Sequence, residues 1–180
     1  MSHSISSVIF GVAIVVFSSS WAMAATDAPP KTTEAFLQHA ATCEQEQIDL
    51  GQVAEQKAES EDVKQFGVRM VTDHQKTRKE IERLASKGGL QLVSQSSEKD
   101  AAMKSQLDRA SGKGFDRAYI ALTLQAHALE LKELEQRARE EKNQDVRKWA
   151  AETVPVVKDH ITRAKALASS LGVPDEHIEK

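Results

Sequence analysis

The sequence predicts an all-α protein, an antiparallel four-helix bundle made of two helical hairpins. Three observations support this prediction. Strong helix formers dominate the composition, and Gly and Pro are confined to a few positions. A motif that ends in Asp-His occurs twice, at residues 73–74 and 159–160, as expected for two related hairpins. The connection within each predicted hairpin is short, whereas the much longer segment 88–114 separates the two hairpins.

Residues 1–24 have the features of a secretory signal peptide. A nearly unbroken apolar run over residues 5–17 is followed by small residues up to a predicted cleavage site after Ala24 or Ala25. The apolar run is shorter than the ~20 residues that a membrane-spanning helix needs, so export is favoured over anchoring. We therefore expect a periplasmic protein with a linker over 25–32 and no stable membrane span. Association with the outer membrane stays open.

The composition excludes several classes of function. The net charge is -3 and both signs are interspersed, so nothing favours nucleic-acid binding. Cys43 is the single cysteine, so no intramolecular disulfide can form. A small buried residue is the favoured interpretation of Cys43, with an intermolecular disulfide or a metal thiolate as alternatives. We find no nucleophile motif, phosphate-binding loop or cofactor signature, and an enzyme is therefore disfavoured.

The first hairpin is predicted to contain a helix over about 33–59 and a second helix that begins after Ser60. Ser60 is a plausible N-cap because acidic residues follow it in the first turn, and Gly88 is a stop signal. Apolar residues recur in the second helix at spacings of three and four, and His74 falls on this stripe. His74 is therefore expected on the buried side.

The second hairpin is predicted to contain a helix over about 115–141 and another between Asn143 and Gly172. Asn143 is a favourable N-cap, and Gly172 is typical of a helix end. The apolar stripes of these two helices include His127 and His160. Both histidines are therefore expected to point into the bundle.

The connection lengths predict the topology. Short turns make each pair of helices an antiparallel hairpin. Segment 88–114 can cross the length of the bundle, and it contains one short helical stretch over about 97–110. A single long crossover between the second and third helices is the ferritin-like arrangement. We expect this domain to cover residues 33–172 and a C-terminal tail to cover residues 173–180.

Polar core residues at similar depth predict a candidate site. Counted from their own hairpin turns at ~1.5 Å per residue, Glu46 and His74 lie at one level, and His127 and His160 lie nearly level. Glu130 shares the helix face of His127, because residues three apart are neighbours on a helix. Five side chains could therefore converge at mid-bundle: Glu46, His74, His127, Glu130 and His160.

Two interpretations of this cluster stay open. Imidazole and carboxylate ligands suit one divalent transition metal such as Fe, Mn or Zn, and we expect no other cofactor. Alternatively, the histidines are neutral and hydrogen-bonded, and they form a buried polar layer that fixes the helix register. Asp73 and Asp159 project away from the adjacent histidines, so each would at most support the site or bind a partner.

The chain resembles a known family. The runs Glu46-Gln-Ile-Asp-Leu-Gly51 and Met70-Val-Thr-Asp-His74 are similar to those of the exported bacterial family called domain of unknown function 4142. The resemblance covers about residues 36–171. It implies a periplasmic or envelope location and a ferritin-like bundle, but no particular chemistry.

Comparison with the wider di-iron ferritin-like proteins is partly negative. Those proteins use one Glu on each of two helices and a Glu-x-x-His motif on each of the other two. His74 and His160 match the two histidines, but Val71 and Val157 occupy the positions of the bridging glutamates. Two carboxylates and three histidines suit one metal ion better than two. Iron storage and di-iron oxidation are therefore disfavoured.

The sequence thus supports two hypotheses from different classes. The first is an exported ferritin-like protein that binds a single transition-metal ion, in metal handling or stress defence. The second is a non-catalytic envelope module that binds another envelope protein or forms a homo-oligomer. In the second hypothesis the His/Glu layer serves only the fold.

Overall fold

A computed structural model describes residues 32–93 and 98–173 of the chain. The regular secondary structure of this part is entirely helical, with the helices α1 Thr33–Lys57, α2 Glu61–Lys87, α3 Glu98–Arg109, α4 Gly112–Glu140 and α5 Gln144–Leu171. None of these helices is both long enough and apolar enough to cross a membrane. The predicted signal peptide, nearly all of the linker and most of the C-terminal tail lie outside the described residues.

Both ends of α5 follow the capping residues that the sequence predicts. The Asn143 side chain accepts hydrogen bonds from the backbone N–H groups of Asp145 and Val146, and Gly172 ends α5 in the left-handed conformation. α4 begins three residues earlier than predicted, because Gly112 opens the helix and does not belong to the crossover. The four long helices of the predicted bundle are thereby confirmed.

The start of α2 is capped differently from the prediction. Ser60 occupies the cap position, but its side chain makes no capping hydrogen bond. The carboxylate of Asp116 on α4 instead accepts hydrogen bonds from the backbone N–H groups of Glu59 and Ser60, at 3.0 and 2.9 Å. A negative charge at this end also interacts favourably with the helix dipole. The second hairpin therefore stabilises the start of α2 in the first hairpin.

The packing of the helices confirms the predicted topology. α1 packs along α2 and α4 packs along α5, while α2/α5 and α1/α4 form the two seams between the hairpins. The start of α4 lies at the α1–α2 turn, through Asp116, whereas Thr33 at the start of α1 donates to Glu141 beside the α4–α5 turn. The two hairpin turns therefore lie at opposite ends of the bundle, as a long crossover requires.

Two glycines allow a close contact between α1 and α2. A Cβ added to Gly51 would lie 2.9 Å from the carbonyl oxygen of Gly67, and one added to Gly67 would lie 2.8 Å from that of Gly51. Any side chain here would force the helices apart. This contact therefore fixes the register of α1 against α2.

The apolar interior consists of two clusters with a polar layer between them. The cluster near the α1–α2 turn includes Ala54, Val63, Phe66, Met70, Phe115, Tyr119, Ile120 and Ala164. The cluster near the α4–α5 turn includes Phe36, Ile81, Leu84, Leu134, Val146, Trp149 and Val157. On each of the four long helices, the residues between these two clusters supply the buried polar side chains described next.

Candidate metal centre

Three histidines form the centre of the polar layer. His74 on α2, His127 on α4 and His160 on α5 are 3%, 0% and 1% exposed. Their ring centroids lie 5.2 to 5.4 Å apart in all three pairs. The structure therefore brings together the three histidines that the sequence placed at one depth.

His127 has one ring nitrogen held by the backbone of its own helix. Its Nδ1 lies 3.0 Å from the carbonyl oxygen of Thr123. A carbonyl oxygen only accepts, so Nδ1 carries the hydrogen. Burial, with the neighbouring His74 and His160, holds the pKa of His127 well below its usual range. The neutral ring therefore presents the lone pair of Nε2 to the centre of the cluster.

His160 is oriented by an aspartate of the other hairpin. Its Nε2 lies 3.0 Å from Asp73 Oδ2, and Asp73 is also paired with Arg69 at 3.3 Å. A carboxylate only accepts, so Nε2 carries the hydrogen and Nδ1 faces His127 Nε2 at 3.2 Å. Burial lowers the pKa of His160 despite the opposing effect of Asp73. Two nitrogen lone pairs thus face each other, a contact that a shared proton or a metal ion would stabilise.

His74 is paired with a buried glutamate of its own hairpin. Its Nδ1 lies 2.7 Å from Glu44 Oε2, and both side chains are 3% exposed. Burial raises the pKa of Glu44 and lowers that of His74, so the pair forms a neutral hydrogen bond. Within the described part of the chain, His74 Nε2 has no hydrogen-bond partner. This nitrogen is therefore left available on a ring that packs against the other two.

Glu130 is the carboxylate of α4 at this level. Its Oε2 lies 4.0 Å from His127 Nε2, and its side chain is 18% exposed. Burial, with the nearby Glu44, raises the pKa of Glu130 to about 8. Ligand atoms of Glu44, His74 and Glu130 all lie within 4.8 Å of one another, as do those of the three histidines. Glu130 is therefore within reach of the histidine cluster.

The chain matches a known family over most of its length. The family described as domain of unknown function (DUF4142) matches residues 18–167, which is most of the chain. The chain belongs to the DUF4142 family. This confirms the resemblance carried by the Met70-Val-Thr-Asp-His74 run. A search of curated proteins gave no match.

A solved structure is similar to this DUF4142 chain. It is the crystal structure of a putative secreted protein DUF305 from Streptomyces coelicolor, with a TM-score of 0.68 and 14% sequence identity. The similarity covers 78% of this chain and 94% of the other. At this identity the comparison supports the all-helical fold alone.

The DUF4142 structure corrects the predicted carboxylate of α1. Glu44, not Glu46, contacts His74, and Glu46 belongs to neither group of closely spaced ligand atoms. Two residues along an α-helix rotate a side chain by about 200°, so only one of these glutamates can face α2. Glu46 is half-buried on the side of Cys43. Glu44 could have been recognised from the buried stripe that it shares with Leu37, Ala41, Ile48 and Gly51.

Valines occupy the two positions at which di-iron proteins have bridging glutamates, and neither valine can bind a metal ion. Val157 is 1% exposed and belongs to the apolar cluster near the α4–α5 turn. Val71 is half-buried where α1 and α2 cross at Gly51. The cluster therefore offers nitrogen ligands from three helices without the carboxylates that bridge two ions.

Proposed function

We propose that this chain is an exported ferritin-like protein that binds one divalent transition-metal ion through His74, His127 and His160. The pattern of hydrogen bonds at the three rings is the observation that supports this. The outer nitrogen of each ring is held by Glu44, by the backbone carbonyl of Thr123 or by Asp73. Metal-binding histidines generally have such outer partners, which fix the tautomer and the ring orientation.

The spacing of the inner nitrogens fits a bound ion. A zinc-like ion binds imidazole nitrogen at about 2.0–2.1 Å, so two tetrahedral ligands lie about 3.3 Å apart. The distance between His127 Nε2 and His160 Nδ1 is 3.2 Å. An ion between them would remove the repulsion of their lone pairs. Binding of the ion at His74 Nε2 would release one proton from the neutral pair of Glu44 and His74. Nδ1 would then keep the shared proton, and Glu44 would be a carboxylate.

Glu130 is the proposed fourth ligand. Three imidazole nitrogens and one carboxylate oxygen complete a tetrahedral set for a single ion. The carboxyl group would lose its proton when the ion binds, because only the ionised form is an effective ligand. Among Fe, Mn and Zn, a set with three imidazoles favours Zn or Fe, since Mn prefers oxygen ligands.

The proposed role is metal handling or stress defence in the periplasm. The three histidines are almost completely buried, so a bound ion would be shielded from solvent. Such shielding suits retention of an ion better than turnover of a large substrate. Export rests on the signal-like residues 1–24, and the helical fold is shared with a protein described as secreted.

Metal content tests the proposal. Protein without an affinity tag, carrying Cys43→Ser so that no thiol contributes, is stripped of metal, exposed separately to Fe, Mn and Zn, and freed of excess ion. We expect one equivalent of Zn or Fe, lost in His127→Gln and in His160→Gln and retained in the control Glu46→Gln. Sub-stoichiometric binding of all three metals would contradict the proposal. The layer would then serve the fold alone.

A further inference from the structure

A second cluster of reactive side chains lies between α1 and α4, outside the three histidines. Cys43 Sγ lies 3.6 Å from His39 Nε2, and His39 Nδ1 lies 3.3 Å from Glu133 Oε2. We propose that Cys43 and His39 form a second metal site, which binds a thiophilic divalent ion such as Zn(II). This site does not require the proposed histidine centre.

The distance between the two ligand atoms fits a shared ion. His39 and Cys43 are four residues apart on α1, so their side chains lie on one face of the helix. Zinc binds thiolate at about 2.3 Å and imidazole at about 2.0–2.1 Å, which places sulfur and nitrogen about 3.6 Å apart at the tetrahedral angle. The observed separation is 3.6 Å. An ion could therefore bind between them without a change in α1.

Glu133 orients His39 as a metal ligand. Its Oε2 lies 3.3 Å from His39 Nδ1, a contact that favours the hydrogen on Nδ1 and leaves the lone pair of Nε2 to face the sulfur. The same carboxylate–histidine pairing supports zinc ligands in other proteins. The second oxygen, Oε1, is buried and has no hydrogen-bond partner in the described part of the chain. This oxygen can accept a hydrogen bond from a metal-bound water.

The surroundings of Cys43 attract cations and disfavour a nucleophilic thiol. Burial, together with Glu46, Glu130, Glu133 and Glu44, holds the pKa of the thiol well above its usual range. A catalytic thiol needs the opposite, a positive environment that produces thiolate at neutral pH. A divalent ion is attracted by the carboxylates of Glu46 and Glu133 and displaces the thiol proton when it binds. The His39 side chain is 47% exposed, so the ion can reach this site from solvent.

Thiol alkylation gives a direct test, because Cys43 is the only cysteine of the chain. The alkylation rate of metal-free protein is measured with increasing Zn(II). We expect Zn(II) to slow the reaction about tenfold or more, and expect His39→Gln to abolish this protection. Glu133→Gln should weaken zinc binding by about tenfold, as loss of an outer partner does. Glu140→Gln, an exposed carboxylate further along α4, is the matched control and should change nothing.

A spectroscopic measurement and an inner-site variant complete the test. Co(II) should give a sulfur-to-metal charge-transfer band that Cys43→Ser removes. His127→Gln should retain both the protection and the band, which separates this site from the histidine centre. An unchanged alkylation rate with no Co(II) band would overturn the proposal. Protection that persists in His39→Gln would also overturn it.

Discussion

The two Asp-His motifs have the same sequence but different contacts. Both histidines point inward, yet His74 is held by Glu44 of its own hairpin, whereas His160 is held by Asp73 of the other hairpin. The aspartates differ as well. Asp73 contacts a histidine, while Asp159 pairs with arginines, Arg69 at 3.0 Å and Arg163 at 2.7 Å.

This difference shows that the duplicated motif does not produce two equivalent half-sites. The first hairpin alone can form the contact between Glu44 and His74. The hydrogen bond between Asp73 and His160, and the contacts of His74 with His127 and His160, require both hairpins. The candidate centre is therefore a property of the docked bundle, and the first hairpin supplies more of its supporting groups than the second.

The largest expected effect on stability comes from removing Glu44, the partner of His74 within the first hairpin. Glu44→Ala leaves His74 Nδ1 buried without a partner, and we expect the free energy of unfolding to fall by about 2 to 3 kcal/mol. The half-buried Glu46→Ala is the matched control and should lose less than about 1 kcal/mol. Urea unfolding of metal-free protein measures both. Equal losses would mean that the pair of Glu44 with His74 does not stabilise the bundle.

Removing Asp73, the partner of His160 from the other hairpin, should affect metal binding more than folding. Asp73→Ala removes the group that orients His160, and we expect Zn(II) affinity at the histidine centre to fall about 10- to 100-fold. Asp159→Ala removes only partly exposed pairs with arginines, so its effect should stay below about threefold. Competition with a chromophoric chelator in a Cys43→Ser background measures both. Similar losses in the two variants would refute the inequivalence of the two aspartates.

His127 belongs to neither Asp-His motif, and its titration should make the free energy of unfolding depend on pH. Burial lowers its pKa in the folded protein, so the unfolded chain takes up the proton more readily. Stability from this group is therefore complete above about pH 6.5 and is lost as the pH falls below that value, by at most about 1.4 kcal/mol per pH unit. His127→Gln should reduce this slope in urea unfolding of metal-free protein. An unchanged slope would show that His127 does not titrate on unfolding.

The sequence predicted what depends on local structure and on distance along a helix. The ends of α5 were predictable because Asn143 and Gly172 act through their own backbone neighbours. The level of the three histidines was predictable because the rise per residue is constant. Glu44 was missed because distance from a turn gives depth but not rotation about the helix axis. The contact of Asp73 with His160 depends on how the hairpins dock, which no local pattern records.

The N-cap residues beside the two hairpin turns should have the smallest effects. Asn143 caps α5 with its own side chain, so Asn143→Ala should lower the free energy of unfolding by about 1 kcal/mol. Ser60 holds the equivalent position before α2 but makes no capping hydrogen bond, so Ser60→Ala should cost less than about 0.5 kcal/mol. Asp116→Ala should instead produce the loss at α2, because that carboxylate binds the free N–H groups. Urea unfolding of the three variants decides whether the start of α2 depends on a group from the other hairpin, as the orientation of His160 does.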